Sequence, residues 1–586
     1  MTNKSEINVF LHTIEDVNSF YKNIYVQNNR YVIYATHAGV FEYIKEFYCS
    51  EVILFSTLIN PKEISKINID TENLSLEILN ILDSRYSDEI SKKIKIERIN
   101  YFISLYSYHF PFVLMGLFTF KELMLKVKSA NKNIVFDYTD SFYGVFSMKE
   151  FLEYTFSSND VKIAWYKSEI KQSKNGITDL IIKAVKNSKK AFSIAVDYLY
   201  EYLAYNYKNK KTILYMDNLY DVSFLKRLGE FRLIAYAHQA LSHKFSKPLV
   251  VSVTIDSVFE KRKEEAGSLK EFLSKVLIKD FTKKIEQYTI GLKTLDELLS
   301  RENIDLTIWG SPPVQGFKAL FYDYCMAKKI SAIGVQHGAN YIDKKYQKHY
   351  YSDFIRCNHY ISYGFTKEDL KNNFKDKAIH NLEVYSYGTN KSIKPKESSK
   401  YNVVDVLFPV TNTISIFDGG FTRVKPDVLH ADQMSILNLL EEESKSNITS
   451  LIKPFSNTDI WQTSVFLNLQ KLQFAKVQWK KALAVLLNEI TPKCVIIEFM
   501  STPLYEVLDL DVEIFLFIRD IDNLTDKARG MLNKRVYMVE DFNEFSILFK
   551  KWINKDLAKK RDNSYYNYYV KKENTKESII KLIKEI

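Results

Sequence analysis

LTIWGSPPVQGFKALFYDYCMAKKISAIGVQHGANY, residues 306–341, decides the fold class. Residues 306–309 read as a short apolar strand, Gly310 to Pro313 as a turn, 316–329 as a helix and 331–335 as the next strand, which together make a β-α-β unit. In open α/β sheets ligands collect at the carboxyl ends of the strands, where Gly310 and Ser311 would follow the first strand and Gln336, His337 and Gly338 the second. Gly338 lets the backbone turn sharply or approach a ligand closely. His337 brings an ionisable imidazole to that edge and is the candidate reacting group; the alternative is a histidine that caps a loop or satisfies a buried hydrogen bond.

The same alternation extends outward. Residues 31–34, 51–55, 133–136, 212–215 and 249–253 predict strands, while 74–99 and 268–299 carry Leu, Ile, Lys and Glu at helical spacing and predict amphipathic helices. Strands alternating with helices imply an α/β architecture, and no fixed-period repeat is visible. Around 387–401 Gly, Pro, Ser and dense charge interrupt the pattern, which predicts a linker. Beyond it the pattern restarts: strands at 403–408, 449–453, 494–499, 514–518 and 537–539, and helices at 432–444, 463–489, 501–508, 542–552 and 576–586. The expected organisation is an N-terminal α/β unit with helical insertions over 1–386, the linker, a Rossmann-like unit over 402–555 and a helical tail over 556–586.

The 586 residues exceed one ordinary core and suggest about three to four modules or two enlarged domains. A hydrophobic content of 46% with 26% charged residues describes a globular chain. The net charge of +11 arises from 82 basic and 71 acidic residues and suits anionic ligands such as nucleotides, or attraction to an anionic membrane face. Short basic runs such as 208–211 and 559–561 lack a nucleic-acid motif, so nucleic acid is not an expected partner. The four widely spaced cysteines form no Cys-x-x-Cys pair and indicate neither a disulfide framework nor zinc. With no leader-like segment and no run of about 18 apolar residues, a cytoplasmic location is expected.

In the second half, Ser501 and Thr502 fall at a predicted helix start directly after a strand, where hydroxyls, free amides and the helix dipole can face a phosphate. An ordinary cap, with Pro503 at the first helical position, is the alternative. Glu506, one turn inward, could bond a ribose or sugar hydroxyl or form a surface ion pair. Lys453 ends the preceding strand and can neutralise a leaving phosphate. Thr411 and Asn412 follow another strand, and Asp418-Gly419-Gly420 reads as a tight turn. His349 and His359 lack zinc spacing, and no metal site is expected. Absence of a Gly-Lys-Ser/Thr phosphate loop and of a Gly-x-Ser-x-Gly turn argues against P-loop NTPases, kinases and serine hydrolases.

Gln-His-Gly, then the aromatic-Gly of HYISYG (359–364), then a linker and a unit with Lys-Pro and Ser-Thr-x-x-x-Glu, resemble the GT-B-type transferases of bacterial surface-carbohydrate assembly. The likeness is nearest to surface-polysaccharide transferases and more distant to capsule Kdo transferases and CDP-glycerol glycerophosphotransferases. It spans roughly 304–520. It departs where Lys453-Pro454 replaces His-Pro and where Ala339 stands for a second glycine. The resemblance implies two Rossmann-like domains facing across a cleft, with the donor nucleotide held by the C-terminal one and the acceptor by the N-terminal one. Donor contacts fall to Gln336, Gly338, Thr411, Asn412, Lys453, Ser501, Thr502 and Glu506, and the resemblance places His337 at the cleft as the catalytic residue, a general base toward the acceptor hydroxyl or a donor to the phosphate. Gly310, Ser311 and His37, of YATHAG, fall on the acceptor side. No cofactor is implied beyond a nucleotide-activated sugar as substrate, CMP-linked acidic sugars among them, and the acceptor is a surface polysaccharide or glycolipid. Transfer of glycerol or ribitol phosphate from a CDP donor, and a non-catalytic assembly role, are the alternative readings.

Overall fold

The computed structural model describes residues 6–27, 29–48, 50–107, 109–127, 132–136, 149, 163–166, 210–216, 219, 222–236, 273, 277–314, 316–338, 353–373, 381–389, 402–412, 424–455, 463–519, 524–570 and 575–586. The expected strand at 249–253, His349, the turn at 418–420 and most of the linker at 387–401 lie outside the described residues.

Three parallel sheets organise the chain. The first contains β1 (Glu6–Leu11), β2 (Arg30–Ala35), β3 (Val52–Leu54), β4 (Lys132–Phe136) and β5 (Ile163–Tyr166), in the order β3-β2-β1-β4-β5. The second contains β6 (Thr212–Tyr215), β7 (Arg232–Ala235), β8 (Leu306–Trp309), β9 (Ser331–Val335), β10 (His359–Ser362) and β11 (Glu383–Ser386), in the order β11-β10-β9-β8-β6-β7. The third contains β12 (Asn402–Val410), β13 (Ser450–Pro454), β14 (Ala475–Val477), β15 (Ile490–Ile497), β16 (Glu513–Phe517) and β17 (Tyr537–Val539), in the order β14-β13-β12-β15-β16-β17. Every pairing is parallel, so each crossover needs a connecting segment, and helices cover the sheets. Counted within the unit, the third sheet has the doubly wound order 3-2-1-4-5-6, whose direction reverses between β12 and β15. The α/β class with doubly wound parallel sheets is therefore the one expected; the stretch before the linker carries two sheets where one unit was anticipated.

The first two sheets share a core. Between β3 and β4 the chain inserts the helices Pro61–Ile94, Tyr101–Tyr106 and His109–Lys126, whose apolar faces pack with the helices Ile278–Arg301 and Gly316–Ala327 of the second sheet. In Ile278–Arg301 the buried positions Phe281, Ile285, Leu292 and Leu295 follow the helical period, while the opposite face carries Lys and Glu. A buried polar knot fixes this junction. Arg356 pairs with Asp323 at 3.3 Å and donates to the Ile103 and Ser104 carbonyls, while Asp83 accepts from the Phe102 and Ile103 amides at 2.8 and 2.7 Å.

The second and third sheets meet in the GT-B-like manner, with their carboxyl edges toward one another: a Cβ added to Gly338, beyond β9, would lie 3.8 Å from the Thr502 hydroxyl, beyond β15. The chain passes between these two units twice. On the outward passage the Thr389 amide donates to the Val570 carbonyl at 3.2 Å, and on the return Thr575 Oγ1 donates to the Tyr387 carbonyl at 2.6 Å. After the return, the last helix, Thr575–Glu585, buries Ile579, Leu582 and Ile583 against the second sheet. The end of the expected C-terminal tail is thus part of the other unit's core, while Tyr565, Tyr566 and Tyr569 pack with the third sheet. Gly364 is demanded by this crossing, because any side chain there would collide with the Tyr568 carbonyl.

The first sheet's unit also touches the third. Ser56 Oγ donates to Asp427 at 2.8 Å, and His430 Nε2 lies 3.0 Å from Glu42 Oε1, both on the helix Pro426–Ser444 of the third unit.

One element departs from expectation. Residues 463–489, read as a long amphipathic helix, form the short helix Phe466–Lys471, the edge strand β14 and the turn of helix Leu483–Leu486. Pairing of β14 with β13 and burial of Val465 and Leu469 in the third unit's core override the local helical spacing.

Candidate functional site

The site is built where the carboxyl edges of β9, β10, β12, β13 and β15 converge. Gln336 is buried, and both ends of its amide are engaged: Nε2 donates to the Gly338 carbonyl at 2.8 Å, and Oε1 accepts from the Tyr363 amide at 2.8 Å. It ties the loop after β9 to that after β10, so its side chain shapes the edge. His337, next to it, is exposed, and Gly338 stands opposite Thr502. The structure therefore brings His337 and Gly338 of one sheet toward Ser501 and Thr502 of another.

The helix that begins there, Thr502–Val507, is six residues long. Ser501 is its N-cap in extended conformation, yet its hydroxyl makes no capping bond and donates to the Phe499 carbonyl at 3.1 Å. Pro503 occupies the second helical position, one later than expected, and has no N–H, while the Leu504 amide is directed to the Ser501 carbonyl. The amide array expected to face a phosphate is accordingly thin. Positive charge comes instead from Lys453, only 5% exposed at the end of β13, whose ammonium donates to the Pro454 carbonyl. Desolvation lowers its pKa, and the charge of Glu506 acts the other way.

Thr411 and Asn412 leave β12 at the point where the third sheet reverses direction. The Thr411 amide donates to Glu498 Oε2 at 2.6 Å, its carbonyl accepts from Gln433 Nε2 at 3.0 Å, and Asn412 Oδ1 accepts from the Thr463 hydroxyl at 2.9 Å. Glu498 was not foreseen from sequence. It follows the buried run Cys494–Ile497 and is itself buried, and desolvation pushes its carboxyl up to about 8. The available signal was the single acid among IIEFM, an apolar setting in which a carboxyl must be hydrogen-bonded to be tolerated. Gln433 Nε2 reaches its other oxygen at 2.7 Å, and Arg519, paired with Asp432, donates to its carbonyl at 3.0 Å.

On the facing side Gly310 and Ser311 follow β8, at the reversal of the second sheet between β6 and β8. Gly310 is required sterically, since a side chain would strike the Leu219 carbonyl. His37 belongs to another sheet. It follows β2 in the first sheet, is 2% exposed, and its Nδ1 accepts the Gly39 amide at 3.0 Å, opening the helix Ala38–Tyr48. That contact orders the start of the helix. His359 begins β10 and contacts the Tyr385 hydroxyl at 3.2 Å. Among the described residues no group of three or more His, Cys, Asp or Glu is arranged to hold a metal ion, and no helix is long and apolar enough to cross a membrane.

No protein-family profile matches the chain, and no curated protein matches it. Solved structures give a loose likeness. The UDP-GlcNAc 2-epimerase of Neisseria meningitidis bound to UDP-GlcNAc is 12% identical, with 64% of this chain and 100% of that chain covered and a TM-score of 0.36. A glycosyltransferase from Rickettsia africae gives 15%, 64%, 98% and 0.37, and MurG of Acinetobacter baumannii 10%, 64%, 100% and 0.35. At such scores the fold assignment rests on the sheet orders described above.

Proposed function

We propose that this protein is a glycosyltransferase that moves a sugar from a nucleotide-activated donor to a surface polysaccharide or glycolipid acceptor. The observation that supports it is the exposed His337 beside Gly338, set against Ser501–Thr502, with the buried Lys453 in the same unit. In this reading the third sheet's unit, 402–555, holds the donor through Thr411, Asn412, Lys453, Ser501, Thr502 and Glu506, with the Gln336–Gly338 backbone closing over it. Gly310 and Ser311 border the acceptor. His337 takes the proton of the acceptor hydroxyl as its oxygen bonds to the anomeric carbon. The bond from that carbon to the donor phosphate breaks, and the nucleotide departs with the electron pair. Lys453 stabilises the charge developing on the phosphate, a contribution strengthened by its desolvated setting. The net positive charge of +11 suits work at the inner, anionic membrane face from the cytoplasmic side.

The test is a thermal-shift and transfer screen with CMP, CDP, UDP and GDP and their sugars, since a ligand that prefers the folded state raises its stability. Stabilisation by one nucleotide, reduced in Lys453→Ala, is expected. His337→Ala should lower the transfer rate by about 10²–10⁴-fold with nucleotide binding retained. No response to any nucleotide, together with unchanged glycan production in His337→Ala cells, overturns the proposal in favour of a non-catalytic role.

A further inference from the structure

We propose that Glu498 is a positioning residue of the donor site, holding the Thr411–Asn412 main chain in place from beneath without itself touching the ligand. The inference rests on the reading of the third sheet's crevice as the nucleotide site, and deepens it by naming what sets the geometry of that crevice.

Two segments hydrogen-bond this carboxyl, and two more hold its partners and its main chain. Oε2 accepts the Thr411 amide at 2.6 Å and Oε1 accepts Gln433 Nε2 at 2.7 Å. Gln433 Nε2 also reaches the Thr411 carbonyl at 3.0 Å, so both polar groups of the Thr411 main chain are gripped by the same pair of side chains. Gln433 is held in turn by the Ser464 hydroxyl, and Asn412 by the neighbouring Thr463. Arg519 closes the ring by donating to the Glu498 carbonyl and pairing with Asp432. These contacts join the ends of β12 and β15, which flank the reversal point of the sheet, to the segment after β13 and to the helix Pro426–Ser444.

The surroundings make the arrangement costly. Ile496, Ile497, Phe499 and Met500 around it are buried and apolar, and an aliphatic side chain would fill the position with no desolvation cost. A carboxyl there serves as an acceptor for a main-chain amide that would otherwise be left unpaired on the inner side of the loop. The charged groups facing it are Asp432 from the helix Pro426–Ser444 and Arg519 from the end of β16, and they act in opposite directions. With its carboxyl pushed up to about 8, Glu498 is mostly neutral near pH 7 and gains charge as the pH rises through that value. An anionic nucleotide above the loop favours the neutral form, so donor affinity should fall with rising pH.

The experiment measures nucleotide affinity by calorimetry at pH 6.5 and 9 in the full-length wild type, Glu498→Gln, Glu498→Ala and Gln433→Leu, using whichever of CMP, CDP, UDP and GDP the wild type binds. If the wild type binds none, the donor-site reading fails before Glu498 is tested. Given binding, Glu498→Ala, which unpairs the Thr411 amide, and Gln433→Leu, which unpairs its carbonyl, should each weaken affinity by about tenfold. Glu498→Gln keeps an acceptor for the Thr411 amide but sets an N–H₂ group against Gln433 Nε2, and rotating the Gln433 amide to meet it gives up the bond to the Thr411 carbonyl. It should bind more tightly than Glu498→Ala at pH 6.5, because the Thr411 amide stays paired, and lose the decline at pH 9. Wild-type affinity in both Glu498→Ala and Gln433→Leu, or an unaltered pH decline in Glu498→Gln, overturns the proposal. Should Glu498→Ala fail to fold, Gln433→Leu and the pH profile of Glu498→Gln decide it alone.

Discussion

Glu498 and Asp83 are both buried carboxyls, and both are pushed upward by desolvation, to about 8 and about 7. For Glu498 the native state keeps a proton that the unfolded chain has lost between pH 4.5 and about 8. Its stabilising contribution is complete below pH 4.5 and lost as the pH rises toward 8, by at most ~1.4 kcal/mol per pH unit. Glu498→Gln should therefore gain on the wild type in urea midpoint between pH 5 and pH 8, and a constant difference across that range would contradict the assignment. For Asp83 the corresponding window is 3.8 to about 7. Here amide substitution behaves differently, because both oxygens accept main-chain amides. Asp83→Asn sets an N–H₂ group against Phe102 or Ile103, and should destabilise by about 1–3 kcal/mol in chemical denaturation at pH 7.

At the scale of elements, the last helix gives the clearest prediction. Ile583 is fully buried in the core of the second sheet although the chain reaches it only after completing the third. Ile583→Ala should cost about 2–4 kcal/mol, and hydrogen exchange should show the loss in β6–β9 rather than in β12–β17. The elements legible in the sequence were those whose local pattern and tertiary fate agree: β6 and β17 fall on the residues expected, and β8, the helix after it and β9 form the anticipated β-α-β unit. β1 and β7 were missed, since Asn8 and Arg232 break up short runs whose identity as strands comes from their parallel neighbours. The same cause turned 463–489 from one apparent helix into three elements. At the site, Gln336, His337 and Gly338 were visible because a Gly marks the strand end. Glu498 was hidden because a single acid after a strand reads as solvent-facing until burial is known. Sequence does not say which sheet a strand will join, so it placed His37, after β2, beside Gly310 and Ser311 with no sign that they follow different sheets.

For the whole molecule, the helix Pro426–Ser444 is shared between two tasks. Asp427 and His430 contact the first sheet's unit, and Asp432 and Gln433 belong to the network beneath Thr411. Loosening the first contact should reach the second. Burial raises the Glu42 carboxyl and its hydrogen bond and charge contact with His430 more than reverse this, leaving it below the usual 4.5. The stabilisation from that group is present above its unfolded value and disappears as the pH falls through the lower folded one. Glu42→Ala with His430→Ala should show a coupling of about 0.5–1.5 kcal/mol in a double-mutant cycle, and each single change should alter nucleotide affinity without touching the crevice. Additive effects and unchanged affinity would mean that the two tasks of the helix are independent.

The two passages between the facing units run side by side, joined by Thr389 to Val570 and by Thr575 to Tyr387. A body hung on one thread can swing in any direction, but one hung on two adjacent threads is a door with its pin along them. The far margin, where Ser56 and Glu42 grip Asp427 and His430, then works as the latch, since it is fastened by contacts alone. A force parting the two units would therefore open the latched margin first and leave the pinned margin in register.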